Sequence, residues 1–404
     1  MAKGQRIYER HGKSIYFKND DMDFSLQWML GYHTYGGLSV GEGFYIASRI
    51  KDGNVEDWRN EFSNYGIVQE KLATDLISNG NKKAASKRLM CAFNAYRAAA
   101  MFVSPKTSDF QELVARFEAT FQESMVCSQL SIEKIEVPFE NKRLPGYFYR
   151  SPNHTQSTPL IIIVGGSDSF REDLYFFGGA EAIMRGYNVA MIDLPGQGNT
   201  PSHGLYFRHD MEKPMTSIID WISSEKHTNV NRVGVYGVSG GGYFALRAAA
   251  HERRIKALAL STPIYDMYSV ITKQIPKILV QLSKFDKLLA FLDKPASVGV
   301  EKYFWQTGLD NYADILEKLV SKMAVDVETV GCPVLAICGT GESEEIKRQS
   351  REFFDKLKTK FSQTKYIEYS AQDGADAHCQ VNNFQLAHQE LFDWFEGVFS
   401  NNKE

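Results

Sequence analysis

The sequence predicts an α/β chain, a mostly parallel sheet of about eight strands that follows a helical segment and carries a helical insertion. Three observations lead there. Short, continuously apolar runs recur from residue 160 onward and are separated by helix-patterned segments. Strands buried on both faces read in this way, because helices cover the two sides of a parallel sheet. The stretch Asn231–Ala250 then reads as strand, Gly237-Val-Ser239-Gly240-Gly241 turn, and alanine-rich helix. Finally, the first 130 residues show a period near 3.6 and no strand pattern.

Taken in order, Asp21–Leu30 places Phe24, Trp28 and Leu30 in an amphipathic arrangement. Ser39 with Glu42 three residues on is a capping-box signature that opens a helix towards Ile50. Trp58, Phe62, Tyr65, Val68, Leu72 and Leu76 recur at threes and fours. Asn79-Gly80-Asn81 ends that helix, and Lys82–Val103 resumes with Leu89, Phe93, Tyr96 and Ala100 on one face. Ser104-Pro105 breaks the pattern again before a helix over Phe110–Gln122. The helices pair like hairpins but share no repeat period. These residues, 1–130, form the expected cap domain, and 131–404 the expected catalytic domain.

The catalytic part starts with a hairpin, Ile132–Phe139 and Arg143–Arg150, turned at Glu140-Asn141. Six further strands are expected at Leu160–Val164, Tyr187–Ile192, Val233–Tyr236, Ile255–Leu260, Val334–Ile337 and Lys365–Tyr369. An insertion over about 262–330 separates the strands at 255–260 and 334–337. Its run Ile271–Leu292, interrupted by Pro276 and followed by Pro295, reads as a helical lid.

Composition narrows the function. A net charge of −3 with 24% charged residues leaves no basic surface for nucleic acid. Five scattered cysteines, an odd number without paired metal-ligand spacing, fit a reducing compartment and no metal site. The start lacks an apolar signal-like run, and no apolar stretch reaches membrane-spanning length, so a cytoplasmic protein is expected. No G-K-[ST] phosphate loop or H-E-x-x-H occurs, and Gly237–Gly242 lacks the downstream acid of a dinucleotide fingerprint. No cofactor is expected. The partner is a small molecule, and the apolar faces of the helical part are compatible with a homodimer.

The G-x-S-x-G turn between strand and helix is the setting of a nucleophile elbow, which makes Ser239 the candidate nucleophile. A serine hydroxyl needs a base, and the base an orienting acid. His378 lies between the last strand and the last helix, where the base loop of such a fold falls. The other histidines lie in helices, in polar loops or, for His203 and His209, after the fourth strand, where they could touch substrate. For the acid, Glu342 sits on the glycine-bearing loop after strand 334–337. Glu344 and Glu345 stand closer to the next helix, where acids favour the dipole, and Asp376 is a further candidate. The N–H of Gly240 faces the serine from the helix N-terminus. A second oxyanion donor is expected from the loop after the third strand, from Gly166 or Ser167. Asp168 on that loop, and Tyr265, Asp266 and Tyr268 at the start of the insertion, are expected to contact substrate. Asp193-Leu-Pro-Gly-Gln-Gly198 reads mainly as an architectural turn.

Four stretches carry a family resemblance: Gly165-Gly166-x-Asp168-Ser169-x-x-Glu172, Asp193-x-Pro-Gly-Gln-Gly198, Gly237-Val-Ser-Gly-Gly-Gly242 and Gly374-Ala-Asp-Ala-His-Cys-Gln380. With them the chain resembles α/β-hydrolases that have a helical N-terminal cap, the group of 2,6-dihydroxypseudooxynicotine hydrolase and the fungal yellowish-green pigment, polyketide-shortening hydrolases. The likeness covers most of the chain beyond about Ser131 and, more loosely, the helical part. It implies Ser239, His378 and Glu342 as a triad and Gly240 with the 165–167 loop as oxyanion hole. It also implies cleavage of a carbon–carbon bond next to a ketone in a β-diketone, polyketide-like or aromatic substrate. The generic triad alone would equally serve a carboxylesterase, thioesterase or acyltransferase. A binding protein on a hydrolase fold is the remote alternative.

Overall fold

The computed structural model describes residues 10, 12–274 and 293–401. They separate into two compact units. One is built on a sheet, the other on helices.

The sheet has eight strands: β1 (Ile132–Phe139), β2 (Lys142–Tyr149), β3 (Leu160–Val164), β4 (Asn188–Ile192), β5 (Val233–Val238), β6 (Ile255–Ser261), β7 (Val334–Gly339) and β8 (Lys365–Tyr369). Their spatial order is β1-β2-β4-β3-β5-β6-β7-β8. β2 runs antiparallel to β4, with Gly146 opposite Ile192, and every pairing from β4 to β8 is parallel. The hairpin turns where expected, with Glu140 in the left-handed region at φ 51°. All residues of β3, β4 and β5 are buried. Their continuous apolar pattern is therefore that of strands covered on both faces.

In the helical unit, α1 (Asp20–Gly31), α2 (Val40–Ala47), α3 (Val55–Ser78), α4 (Lys82–Ala99) and α5 (Ser108–Ser128) follow one another. Both bonds of the capping box form at α2: the Glu42 N–H donates to the Ser39 hydroxyl, and the Ser39 N–H to the Glu42 carboxylate. α4 is the central helix, buried throughout from Leu89 to Ala99. α3 is rotated relative to the sequence expectation. Trp58, Phe62, Gly66, Gln69 and Ala73 face inward, while Val68 and Leu72 stay exposed. Small residues at 66 and 73 admit α4 closely, and the Tyr96 ring occupies the space beside Gly66. The Trp58 indole N–H donates to the Ala98 carbonyl (2.8 Å), which keeps a large buried side chain hydrogen-bonded.

In the sheet unit, α6 (Ala180–Met184), α7 (Glu212–Glu225) and α8 (Gly241–His251) connect successive strands from β3 to β6. The long segment between β6 and β7 contains α9 (Met267–Gln274) and α10 (Lys294–Thr307). Most of the expected helix Ile271–Leu292 lies outside the described residues. Residues 293–305, which the sequence leaves in the insertion of the catalytic part, group with the helical unit. Lys302 donates to the carbonyls of Ala100 and Met101, Trp305 meets Phe110 edge-on, and the Asn19 amide reaches Asp293. The sheet unit resumes at Gln306. α11 (Glu344–Leu357) and α12 (Phe384–Asn401) complete it. All five cysteines are buried and free, and no helix among the described residues is long and apolar enough to cross a membrane.

Candidate active site

β5 delivers the chain to a turn so sharp that Ser239 adopts φ 56°. A non-glycine residue there costs on the order of 1–3 kcal/mol, so its surroundings must hold it. They do so through backbone bonds. The Ser239 N–H donates to the Ser261 carbonyl at the end of β6 (3.0 Å), and the Gly242 N–H donates back to the Ser239 carbonyl (2.8 Å). α8 begins at Gly241 with Gly240 as its N-cap residue. The Gly240 N–H therefore stands at the positive end of an eleven-residue helix.

The structure brings three of the expected residues into one hydrogen-bonded line. His378 Nε2 lies 2.8 Å from Ser239 Oγ, and its Nδ1 lies 2.8 and 2.9 Å from the two carboxylate oxygens of Glu342. Glu342 is fully buried, while Ser239 and His378 are partly exposed. An ionised carboxylate only accepts, so Nδ1 carries the proton and the Nε2 lone pair receives the serine O–H. Burial disfavours the charged imidazole. The neighbouring Cys379 sulfur and the Glu342 carboxylate outweigh it, and the net shift of His378 is upward from an ordinary histidine.

The other acid candidates have different partners. Ser343 caps α11 and places Glu344 and Glu345 in its first turn. Glu345 is bound by Lys273, Arg348 and Gln349. Asp376 accepts from the Asn382 side chain, and its carbonyl takes the Gly341 N–H (3.0 Å). Three groups not singled out from the sequence hold the base loop. The His378 N–H donates to the Arg10 carbonyl (2.7 Å), and the Ser261 hydroxyl donates to Gln380 Oε1 (2.8 Å). Gln380 was visible only as part of the particular stretch ending in His-Cys-Gln.

On the oxyanion side the geometry separates the two expected loop donors. Gly166, expected as a possible donor, gives its N–H to Ser169 Oγ (3.0 Å). Its role is steric: a Cβ there would lie 2.7 Å from Ser239 Cβ. Among the described residues no acceptor takes the N–H of Ser167 or of Gly240. The Ser167 nitrogen also faces Gly240, 3.4 Å from where a Cβ on that residue would stand. Those two amides are the pair available to an oxyanion.

The residues expected to contact substrate divide similarly. Asp168 is exposed on the oxyanion loop and Tyr268 is exposed on α9. The polar groups of Tyr265 and Asp266 are engaged by α11 and by the first turn of α9. Both backbone N–H groups donate to Gln349 Oε1, the Tyr265 hydroxyl donates to Glu352, and Asp266 takes the Ser269 N–H. They anchor the start of the insertion, a position that a loop sequence alone does not distinguish from substrate contact. Among the described residues no group of three or more His, Cys, Asp or Glu side chains could hold a metal ion.

Comparison with known proteins agrees with this frame. The family model for X-Pro dipeptidyl-peptidase (S15 family) matches residues 142–293. Hydrolase LUC6 of a Fusarium species is 28% identical over 95% of this chain and 97% of its own. The 20-hydroxy-prefusarin hydrolase FUS2 of Gibberella moniliformis is 26% identical over 95% and 98%. The crystal structure of 2,6-dihydroxy-pseudo-oxynicotine hydrolase superimposes with a TM-score of 0.64 at 18% identity, covering 92% of this chain and 96% of that one. Sheet order, strand directions and these full-length likenesses together make the chain a hydrolase of the α/β-hydrolase fold, related to this set of fungal hydrolases.

Proposed function

We propose that the protein is a serine hydrolase that forms an acyl-enzyme on Ser239 and cleaves a carbon–carbon bond beside a ketone in a β-diketone, polyketide-like or aromatic substrate. One observation carries the serine chemistry: the unbroken line from Ser239 Oγ through His378 to buried Glu342. The choice of bond rests on the resemblance to the polyketide-shortening and pseudooxynicotine hydrolases, and on relatives such as the one named for hydrolysing 20-hydroxy-prefusarin.

In this reading His378 Nε2 takes the serine proton as Oγ adds to the carbonyl carbon, and the oxyanion is met by the N–H groups of Ser167 and Gly240. Collapse breaks the carbon–carbon bond, and its electron pair becomes the enolate of the departing ketone. The His378 imidazolium protonates that carbon. A water molecule, deprotonated by the same histidine, releases the carboxylic acid, so one water is consumed for an acid and a methyl ketone. An ester passes through the same oxyanion and acyl-enzyme with an alkoxide leaving instead.

The test is product analysis by mass spectrometry of 1-phenyl-1,3-butanedione and a matched aryl ester, each with the parent protein and Ser239→Ala. Serine-dependent formation of acid plus ketone is the expected result. Turnover of the ester alone moves the assignment to an esterase or acyltransferase. Fluorophosphonate labelling that survives Ser239→Ala removes the nucleophile.

A further inference from the structure

The turn Asp193-Leu-Pro-Gly-Gln-Gly198 has no part in the chemistry above, yet it meets the oxyanion loop from behind. Gln197 is 1% exposed. Its Nε2 donates to two carbonyls of that loop, those of Gly165 and Gly166 (3.0 Å to the latter). Its Oε1 accepts the Leu194 N–H (2.9 Å), which fixes the amide the right way round, since only the NH2 end can face carbonyl oxygens. One residue further on, the Gly198 N–H donates to the Ser169 carbonyl (3.0 Å).

We propose that Gln197 is a positioning residue for the hydrolytic reaction: by holding the Gly165 and Gly166 carbonyls it aims the Ser167 N–H at the developing oxyanion. This rests on Ser239 being the nucleophile. The argument is one of peptide geometry. The carbonyl of Gly166 and the N–H of Ser167 belong to one planar trans unit and point in opposite directions. Anchoring the first fixes the second. The preceding unit is held at both ends, its carbonyl by Gln197 and its N–H by Ser169 Oγ. The following carbonyl, that of Ser167, is held by the side-chain amide of Gln306. Three consecutive peptide planes are thus pinned, with the Ser167 N–H facing Gly240.

The pinning is needed because Gly165-Gly166 is the most permissive backbone available. Glycine is required there, since a side chain on Gly166 would meet Ser239. A primary amide is the group that fits, as it presents two N–H donors in a fork and one acceptor on the same plane. Glutamate has the same shape but would set a carboxylate oxygen against two carbonyl oxygens.

The test compares the parent, Gln197→Met, Gln197→Glu and Ser239→Ala on 4-nitrophenyl acetate. The oxyanion is absent from the bound substrate and develops in the transition state leading to the tetrahedral intermediate, so a misaimed donor lowers kcat and leaves KM alone. Loss of a donor costs about 10²–10³-fold, and loss of its aim should cost about 10–100-fold in kcat with KM within about twofold. A second readout is inhibition by a trifluoromethyl ketone, whose serine adduct carries the oxyanion. Its affinity should fall in step with kcat. A folded Gln197→Met or Gln197→Glu with kcat near the parent value, or a loss that falls wholly on KM, overturns the proposal. Failure of both variants to fold also overturns it, because the residue is then structural. Turnover that persists in Ser239→Ala instead refutes the serine reading on which the proposal stands.

Discussion

Replacing Glu342 by glutamine tests the orienting acid most directly. The change keeps the shape of a side chain that is fully buried and removes only its charge. In the parent both carboxylate oxygens lie within 2.9 Å of His378 Nδ1. Taking charge centres about 4 Å apart and an effective dielectric of about 20, the ion pair formed when His378 takes the serine proton gains about 4 kcal/mol. At about 1.4 kcal/mol per decade, kcat for an aryl ester should fall about a thousandfold in Glu342→Gln. The pH dependence carries an independent sign. The raised pKa of His378 keeps the imidazole protonated, and useless as a base, to a higher pH than a free histidine. The acid limb of kcat/KM should therefore lie above the ordinary value near 6.5 and move to lower pH once the carboxylate is gone. Stopped-flow kinetics from about pH 5 to about pH 11, a range that brackets both the ordinary histidine value and the raised one of about 10, would measure both. A fall smaller than about tenfold, or an acid limb that stays in place, would refute the role given to Glu342.

Two further changes probe neighbouring features. In Gly166→Ala the new methyl group would stand 2.7 Å from Ser239 Cβ, so either the loop or the nucleophile shifts. A misplacement on the order of 1 Å should lower kcat about a hundredfold, with circular dichroism unchanged. Glu345→Gln should lower the melting temperature at neutral pH through about 1–2 kcal/mol of lost charge-assisted bonding, reduced because Arg348 and Lys273 are largely exposed. Burial pushes the Glu345 carboxyl up, but Arg348, Lys273 and Gln349 bring it down from 4.5 to about 2. A depressed folded-state pKa means stability fully present above 4.5 and lost as pH falls towards 2, so parent and variant melting curves should converge over that window.

The sequence made the sheet legible because a doubly covered strand must be apolar almost throughout, and β3, β4 and β5 are, Asn188 at the start of β4 excepted. It made the elbow legible because a serine at φ 56° before a helix demands the glycines that flank it. The acid was harder. Glu342, Glu344 and Glu345 share one short stretch, and what separates them is Ser343, whose side chain caps α11 and commits the later two to a helical turn. Of the expected donors, Gly240 follows from the elbow, but the choice within the loop could not be read. Gly166 and Ser167 are equivalent as a string, and only the Ser169 hydroxyl decides which amide is left for the oxyanion. The exposure of Val68 and Leu72 escaped for a related reason. Period marks an apolar face, but the depth of helix contact is set by small partners such as Gly66 and Ala73, which add little to a hydrophobic pattern. The attachment of residues 293–305 to the helical unit is a long-range contact between Trp305 and Phe110, with no local signature.

That last attachment has a consequence for biosynthesis. The helical unit is encoded in two pieces, and its second piece follows the first by roughly 160 residues (293 minus 132). At about 5–20 residues per second, a ribosome needs about ten to thirty seconds to supply it. Throughout that interval α5 has emerged but Phe110 lacks Trp305, and the Ala100 and Met101 carbonyls lack the Lys302 ammonium. The nascent helices are thus held short of completion while β1 to β6 are made, and β7, β8, α11 and α12 follow only after the helical unit has its last piece.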